Sequence, residues 1–253
     1  MGYIKVKGKR EIYFESDDWI IDLGGLSIED LEQDLNIQGD VSKIPRIHLN
    51  GNIFKSFDGI EIFESLETIH ADNNIVKDVS ALENLKNLSV LNLKSGKLTK
   101  IPNLGFLSNT LECLYLDRNN IRKIDNLNQL AKLQKLTLRS NNISEIENLE
   151  KNSELWFIDL GNNQISEIKN LGTLKNLKIL KLDRNRISSV KGIEKLLNLK
   201  ELYLQYNEIS RFPINIKNFP YLEQVTLKKN PLIKSDLESV EQYCNNHNIY
   251  FID

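Results

Sequence analysis

Few residues in this chain are of a type that could do chemistry, and their spacing limits what that chemistry could be. His48 and His70 stand 22 residues apart with Asp72 just beyond, and two imidazoles with one carboxylate form a donor set that can hold zinc. Three such side chains on a mixed polar face also meet by chance, and the sequence offers no supporting second set of partners. His247 is remote from all three. Cys113 and Cys244 lack CxxC spacing, Cys113 has no histidine close in sequence and Cys244 has only His247, so neither reads as a metal ligand or activated nucleophile. The loop GxxxxGK[ST], the HExxH pair and the GxSxG turn are all absent. The sequence therefore predicts no catalytic residue, no metal site, no cofactor and no enzymatic activity. It does contain a group of large side chains, Tyr115, Trp156, Phe157, Ile179, Tyr203 and Tyr206, interspersed with Arg118, Arg139, Asp159 and Arg184. Aromatic residues mixed with arginine are what protein-binding hot spots are enriched in.

Those side chains can act together only if a regular framework presents them, and the sequence supplies one. The pattern L-x-x-L-x-L-x-x-N-x-I begins at Ile44, Leu66, Leu88, Leu111, Leu133, Leu155, Leu177, Leu199 and Leu222, at intervals of 22 residues with 23 at two joints. Leu133-Gln-Lys-Leu-Thr-Leu-Arg-Ser-Asn-Asn-Ile143 and Leu177-Lys-Ile-Leu-Lys-Leu-Asp-Arg-Asn-Arg-Ile187 are the clearest units. Within Leu-x-Leu the period is two, so a short strand turns both leucines inward and the residue between them outward. The rest of each unit must bring the chain back to start the next strand beside the last, through a compact 3-10 or extended segment. Ile143, Ile146 and Leu149, or Ile187, Val190, Ile193 and Leu196, point the return path inward.

An asparagine recurs where the chain leaves each strand: Asn52, Asn74, Asn119, Asn141, Asn163, Asn185, Asn207 and Asn230. A bend there strands backbone groups that an inward carboxamide can satisfy by donating and accepting, so this column reads as a structural ladder. Gly96 takes the asparagine position in the third unit and is expected to weaken the ladder there. Asn152 stands where other units have leucine, and is expected to distort the strand that presents Trp156.

These units resemble the leucine-rich repeat family, in its 22-residue class typified by the regulatory subunit of protein phosphatase one and by bacterial internalins. The resemblance covers residues 44–232. It implies an α/β solenoid, a right-handed superhelix with short parallel strands on the concave face and mostly 3-10 or extended segments on the convex face. It also implies a scaffold or adaptor that binds a protein partner through the concave sheet. Two alternatives follow from the same resemblance, a regulatory subunit of a phosphatase or similar enzyme, and a fragment of an internalin-like surface adhesin.

A solenoid exposes its core at both ends and needs caps. Residues 1–43 fall outside the repeat. Tyr3 to Val6 and Glu11 to Glu15 alternate around Gly8 as in a hairpin, and Ser27-Ile-Glu-Asp-Leu opens like a short capped helix. Residues 233–253 carry Ser235-Asp-Leu-Glu238, which has capping-box spacing ahead of Leu237, Val240 and Cys244. The organisation is one domain of nine repeats between two caps.

The first cap holds Lys5, Lys7, Lys9, Arg10 and Lys43 against ten acidic side chains, in a chain of net charge -2. With no overall basic field, direct nucleic-acid binding is not expected. The composition, 40% hydrophobic and 27% charged, is that of a soluble chain, and no run of about 18 apolar residues suits a membrane. With no apolar leader and few cysteines, the sequence predicts a cytoplasmic monomer.

Overall fold

The computed structural model describes residues 2–9, 11–15, 19–212 and 218–252, so Arg10 of the cap's basic set lies outside the described residues. Each Leu-x-Leu pair makes a three-residue strand: β5 (Arg46–His48), β6 (Thr68–His70), β7 (Val90–Asn92), β8 (Cys113–Tyr115), β9 (Lys135–Thr137), β10 (Phe157–Asp159), β11 (Ile179–Lys181), β12 (Glu201–Tyr203) and β13 (Gln224–Thr226). Consecutive strands pair in parallel and in chain order, as expected when each coil returns to lie beside the last. The sheet is longer than the nine repeats alone would build. One strand from each cap, β3 (Ile21–Asp22) before β5 and β14 (Tyr250–Ile252) after β13, brings it to 11 strands.

The central residue of every strand points inward, from Ile47 through Leu91, Leu136 and Leu180 to Val225, and all of these are buried. Burying one such side chain stabilises the fold by about 1.5–3 kcal/mol, so a repeated column of them dominates the energetics. The return segments add a second inner layer. In the first three coils it includes 3-10 turns at Ile60–Ile62, Ser80–Asn84 and Gly105–Leu107, which bury Ile60, Leu82 and Leu107. Later coils return through extended chain and turns that bury Ile146, Leu149, Ile168 and Leu171.

The asparagines form a set of bridges from coil to coil, interrupted once, at Gly96. Asn163 is representative: Nδ2 donates to Leu138 O and to Leu160 O, both at 3.0 Å, while Oδ1 accepts from Ile143 N at 3.0 Å. All eight donate to their own strand's end and to that of the preceding coil. Gly96 leaves the gap expected of it, since no carboxamide joins Ala71 O to Leu93 O, although its own amide donates to Asn119 Oδ1 at 2.9 Å. The unpartnered atom lies one coil earlier, at Asn74 Oδ1. In Asn73, Ser95, Arg118, Ser140, Asn162, Arg184, Tyr206 and Lys229, each directly ahead of the ladder position, φ lies between 54° and 61°. This left-handed residue turns each coil from sheet to interior.

Asn152 does not distort the sheet. It is fully buried, its Nδ2 donates to Leu127 O and Leu130 O at 2.9 Å, and β10 keeps regular register with both neighbours. The carboxamide fits because two carbonyls of the preceding coil face it, although its Oδ1 has no partner.

At the first end, β1 (Gly2–Val6) pairs antiparallel with β2 (Glu11–Phe14) on one side and β4 (Leu35–Gln38) on the other, burying Ile4, Val6 and Phe14. The short helix α1 (Leu31–Asp34) is capped by Asp30, whose carboxylate accepts from Gln33 N at 3.0 Å. Ser27, the expected starting point, is a left-handed turn residue instead. At the far end α2 (Lys234–Asn246) covers the last coil with Val240 and Cys244. Its capping-box spacing is not used, because Ser235 lies inside the first turn and Ile233 takes the N-cap position; Asp236 accepts from Phe212 N at 2.9 Å.

Candidate functional site

Strand alternation puts two residues of each three-residue strand on the outer sheet face, and the parallel register aligns them into rows. One row runs His48, His70, Asn92, Tyr115, Thr137, Asp159, Lys181, Tyr203, Thr226. Beside it runs Arg46, Thr68, Val90, Cys113, Lys135, Phe157, Ile179, Glu201, Gln224. A third row, one residue past each second leucine, carries Asp72, Lys94, Asp117, Arg139, Gly161 and Asp183.

The register brings Tyr115, Phe157 and Tyr203 onto alternate strands, β8, β10 and β12, and a lysine comes up on each strand between or beside them. Lys94 and Lys135 lie over the Tyr115 ring at 5.0 and 5.4 Å, Lys135 and Lys181 over Phe157 at 4.7 and 5.5 Å, and Lys181 over Tyr203 at 4.8 Å. Six coils therefore contribute to one alternating file of ammonium groups and rings. Each such contact is worth about 0.5–1 kcal/mol at an exposed site and more where water is excluded. The rings are half-buried, and burial pushes the Tyr115 and Tyr203 phenols up to about 12. Tyr203 also donates to Glu201 Oε2 at 2.7 Å.

Beside this file lies a stripe of charges that pair with one another. Arg139 donates to Asp183 through Nη1 at 2.8 Å and Nη2 at 2.6 Å, with Asp159 Oδ1 at 3.4 Å. The bond to Asp183, with desolvation opposing it, raises the guanidinium's pKa further above its already high value. Burial raises the Asp159 carboxyl above its ordinary range, against the opposing bond from Gly161 N. Lys94 pairs with Asp117 at 2.9 Å. By contrast Lys135 and Lys181 have no carboxylate within ion-pair distance among the described residues, and lie against aromatic rings.

The residues singled out from sequence thus fall into four groups. Tyr115, Phe157 and Tyr203, with Ile179 beside Phe157 in register, make the file itself. Trp156 sits at its rim and meets Phe157 edge-on at 5.8 Å. Arg139 is spent on Asp183 and Asp159, and Asp159 also accepts from Gly161 N. Arg118, Arg184 and Tyr206 lie at the left-handed turn where the strands end, exposed, with Arg184 stacked over Tyr206 at 4.3 Å. Sequence reasoning passed over Lys94, Lys135 and Lys181, although all three stand in the outward rows and their alternation with the rings was open to inspection. It also passed over Gly161, where a Cβ would lie 2.2 Å from Arg139 Nη1.

His48 and His70 meet edge to face at 4.9 Å. No group of three metal-ligating side chains forms among the described residues, and Asp72 accepts from the Asn73 and Asn92 amides. Burial and the neighbouring His48 push the His70 imidazole below its ordinary value. Burial raises the Cys113 thiol, which disfavours a reactive thiolate.

A leucine-rich repeat family model matches residues 198–219. No curated protein sequence matches the chain. Among solved structures, an internalin C2 of Listeria monocytogenes is similar, with 26% identity over 79% of this chain and 85% of that one at a TM-score of 0.65. A leucine-rich repeat protein of Leptospira interrogans shares the fold, with 18% identity over 83% of this chain and 78% of that one at a TM-score of 0.54. No helix among the described residues is long and apolar enough to cross a membrane.

Proposed function

We propose, from the premise that the chain is a leucine-rich repeat protein with internalin-like repeats, that it is a non-catalytic module gripping a protein partner through its outer sheet face between β7 and β12. The observation that carries this reading is the file Lys94, Tyr115, Lys135, Phe157, Lys181, Tyr203. Three half-buried rings and three cations are lined up by backbone register on the outer face of the sheet. Large aromatic side chains held by a rigid sheet lose little conformational freedom on binding, so their contact area converts efficiently into affinity. Their flanking lysines are already restrained by the rings, which lowers the ordering cost again. The bridge between Arg139 and Asp183 supplies stiffness alongside.

The test is capture of partners on immobilised protein, comparing wild type with Tyr115→Ala/Phe157→Ala/Tyr203→Ala, after circular dichroism shows both fold. Phe106→Ala, on an exposed 3-10 turn of the return path, is the control. The reading expects a partner retained by wild type and the control and lost by the triple variant. Equal retention by all three contradicts it.

A further inference from the structure

The first end of the outer sheet face, over β5 to β8, holds a cleft of about 570 Å³, which is within the size of small-molecule sites. It shares only Lys94 and Tyr115 with the aromatic file. Among the described residues no carboxylate lines it, whereas two cations, Arg46 and Lys94, and two imidazoles, His48 and His70, all do. The acids nearest to it are engaged elsewhere. Asp72 accepts from the Asn73 and Asn92 amides, Asp117 pairs with Lys94, and Asp22, in register with His48, accepts from Gly24 N at 2.9 Å. Arg46 has no carboxylate within ion-pair distance among the described residues.

Hydrogen bonding fixes the polarity at the middle of the cleft. Lys94 N donates to Asn92 Oδ1 at 3.1 Å, so the other end of that carboxamide is its NH2. This NH2 donates to Asp72 Oδ1 at 3.2 Å and faces His70 Nδ1 at 3.4 Å. A ring nitrogen that faces a donor offers its lone pair, so the neutral His70 ring carries its proton on Nε2. Asn92 is buried, which holds the arrangement in place. In this tautomer the remaining nitrogen of His70 donates, and has no lone pair with which to coordinate a metal or accept a hydrogen bond. The carboxamide oxygen of Asn92 is already used. Arg46, Lys94 and His70 therefore all present donors, and a ligand that satisfies them must be an acceptor carrying negative charge.

We infer that this cleft binds a small organic anion, with a carboxylate or phosphate group held by Arg46 and the Nε2 hydrogen of His70 and an apolar body resting on Val90 and the Tyr115 ring. Charge complementarity selects an anion over an ammonium, and the tautomer of His70 selects it over a metal ion. Charge-assisted bonds from a guanidinium to either oxyanion are the strong class of hydrogen bond. The inference stands apart from the protein-binding file, since it depends on Arg46 and His70 and not on Phe157 or Tyr203.

The experiment titrates the isotope-labelled full chain with phenyl phosphate and with benzoate to about 20 mM, followed by heteronuclear NMR, because ligands of this size reach millimolar affinity. The expected result is saturable shifts at Arg46, His48, His70 and Lys94 with at least one of the two, and the tighter of them names the anionic group. Benzylammonium and zinc ion should leave the same signals in place. Arg46→Gln should weaken the better probe about tenfold, and Arg186→Gln, exposed outside the cleft, should leave it unchanged. Long-range nitrogen-proton correlation in the free chain should find the His70 proton on Nε2. A proton on Nδ1 instead, no saturable shift with either anion, or binding of zinc or benzylammonium at the cleft overturns the inference. Equal weakening by Arg46→Gln and Arg186→Gln also overturns it, as diffuse attraction to surface charge. A short polyglutamate peptide that binds the cleft more tightly than either aryl anion overturns it in favour of an acidic protein segment.

Discussion

Arg139 and Asp183 are joined across an intervening coil, by two hydrogen bonds of 2.8 and 2.6 Å that pass over Gly161. The guanidinium can take that path only because position 161 carries no side chain. A Cβ there would come within 2.2 Å of Arg139 Nη1 and 2.7 Å of Asp183 Oδ1. Gly161→Ala is therefore expected to break the bridge and strand the buried Asp183 carboxylate, at a cost of about 2–3 kcal/mol. Urea unfolding checks this, and the same substitution in an Arg139→Met background should cost measurably less, since there is no bridge left to break.

The ladder predicts an inequality between two chemically identical substitutions. Asn119 uses both ends of its carboxamide, accepting from Gly96 N and Leu98 N at 2.9 Å and donating to Leu93 O and Leu116 O. Asn74 donates in the same way but its Oδ1 has no partner. Asn119→Ala should destabilise by about 2–4 kcal/mol, and Asn74→Ala by about 1 kcal/mol less. Equal unfolding midpoints for the two variants would show that the accepting half of the ladder contributes nothing.

Asn152→Leu should raise stability by about 1 kcal/mol, because it removes a buried unpartnered Oδ1 and restores the leucine that other coils carry. The two carbonyls that Asn152 serves, on Leu127 and Leu130, each already accept a backbone amide. A lower melting temperature for the variant would mean that the second bond to each carbonyl outweighs the apolar gain.

His70 gives a pH dependence whose sign follows from its surroundings. Burial and His48 hold its folded pKa below 6.5, with Asp72 acting the other way and Lys94 and Arg46 adding to the depression. As pH falls below 6.5 the unfolded chain takes up the proton first, so stability present above that value is lost on acidification. Wild type should therefore lose stability more steeply than His70→Gln as pH drops from about 7 to about 5, read from urea midpoints at each pH. Parallel curves would show that His70 titrates no differently in the folded chain.

Much of this architecture is legible in the residues because a repeat states the same constraint many times. The Leu-x-Leu columns, the inward asparagines and the outward rows all follow from period-two alternation inside a 22-residue coil, and the register aligns the rows as that arithmetic requires. What escaped depended on contacts between coils. That Arg139 is consumed by Asp183 needs the absence of a side chain at Gly161, one coil away from each. That Asn152 is harmless depends on two carbonyls of the coil before it. The caps were read less well than the repeats because each is built once. Asp30 in place of Ser27 as the helix cap, and the bond that Asp236 accepts from Phe212 N, are settled by tertiary partners that local spacing does not encode. The lysines of the aromatic file went unnoticed because a lysine in one outward row gains meaning only from the ring on the next strand.

The central claim is that the sheet face carrying Phe157 is the surface that meets the partner. The measurement that addresses it most directly is site-specific photo-crosslinking in native lysate, with a benzophenone amino acid placed at Phe157 in one sample and at Phe106, on the return path, in another. The account predicts a discrete protein adduct from position 157, competed away by excess unlabelled wild type, and no competed adduct from position 106. A competed adduct from 106 with none from 157 would contradict it and move the binding surface to the other side of the solenoid.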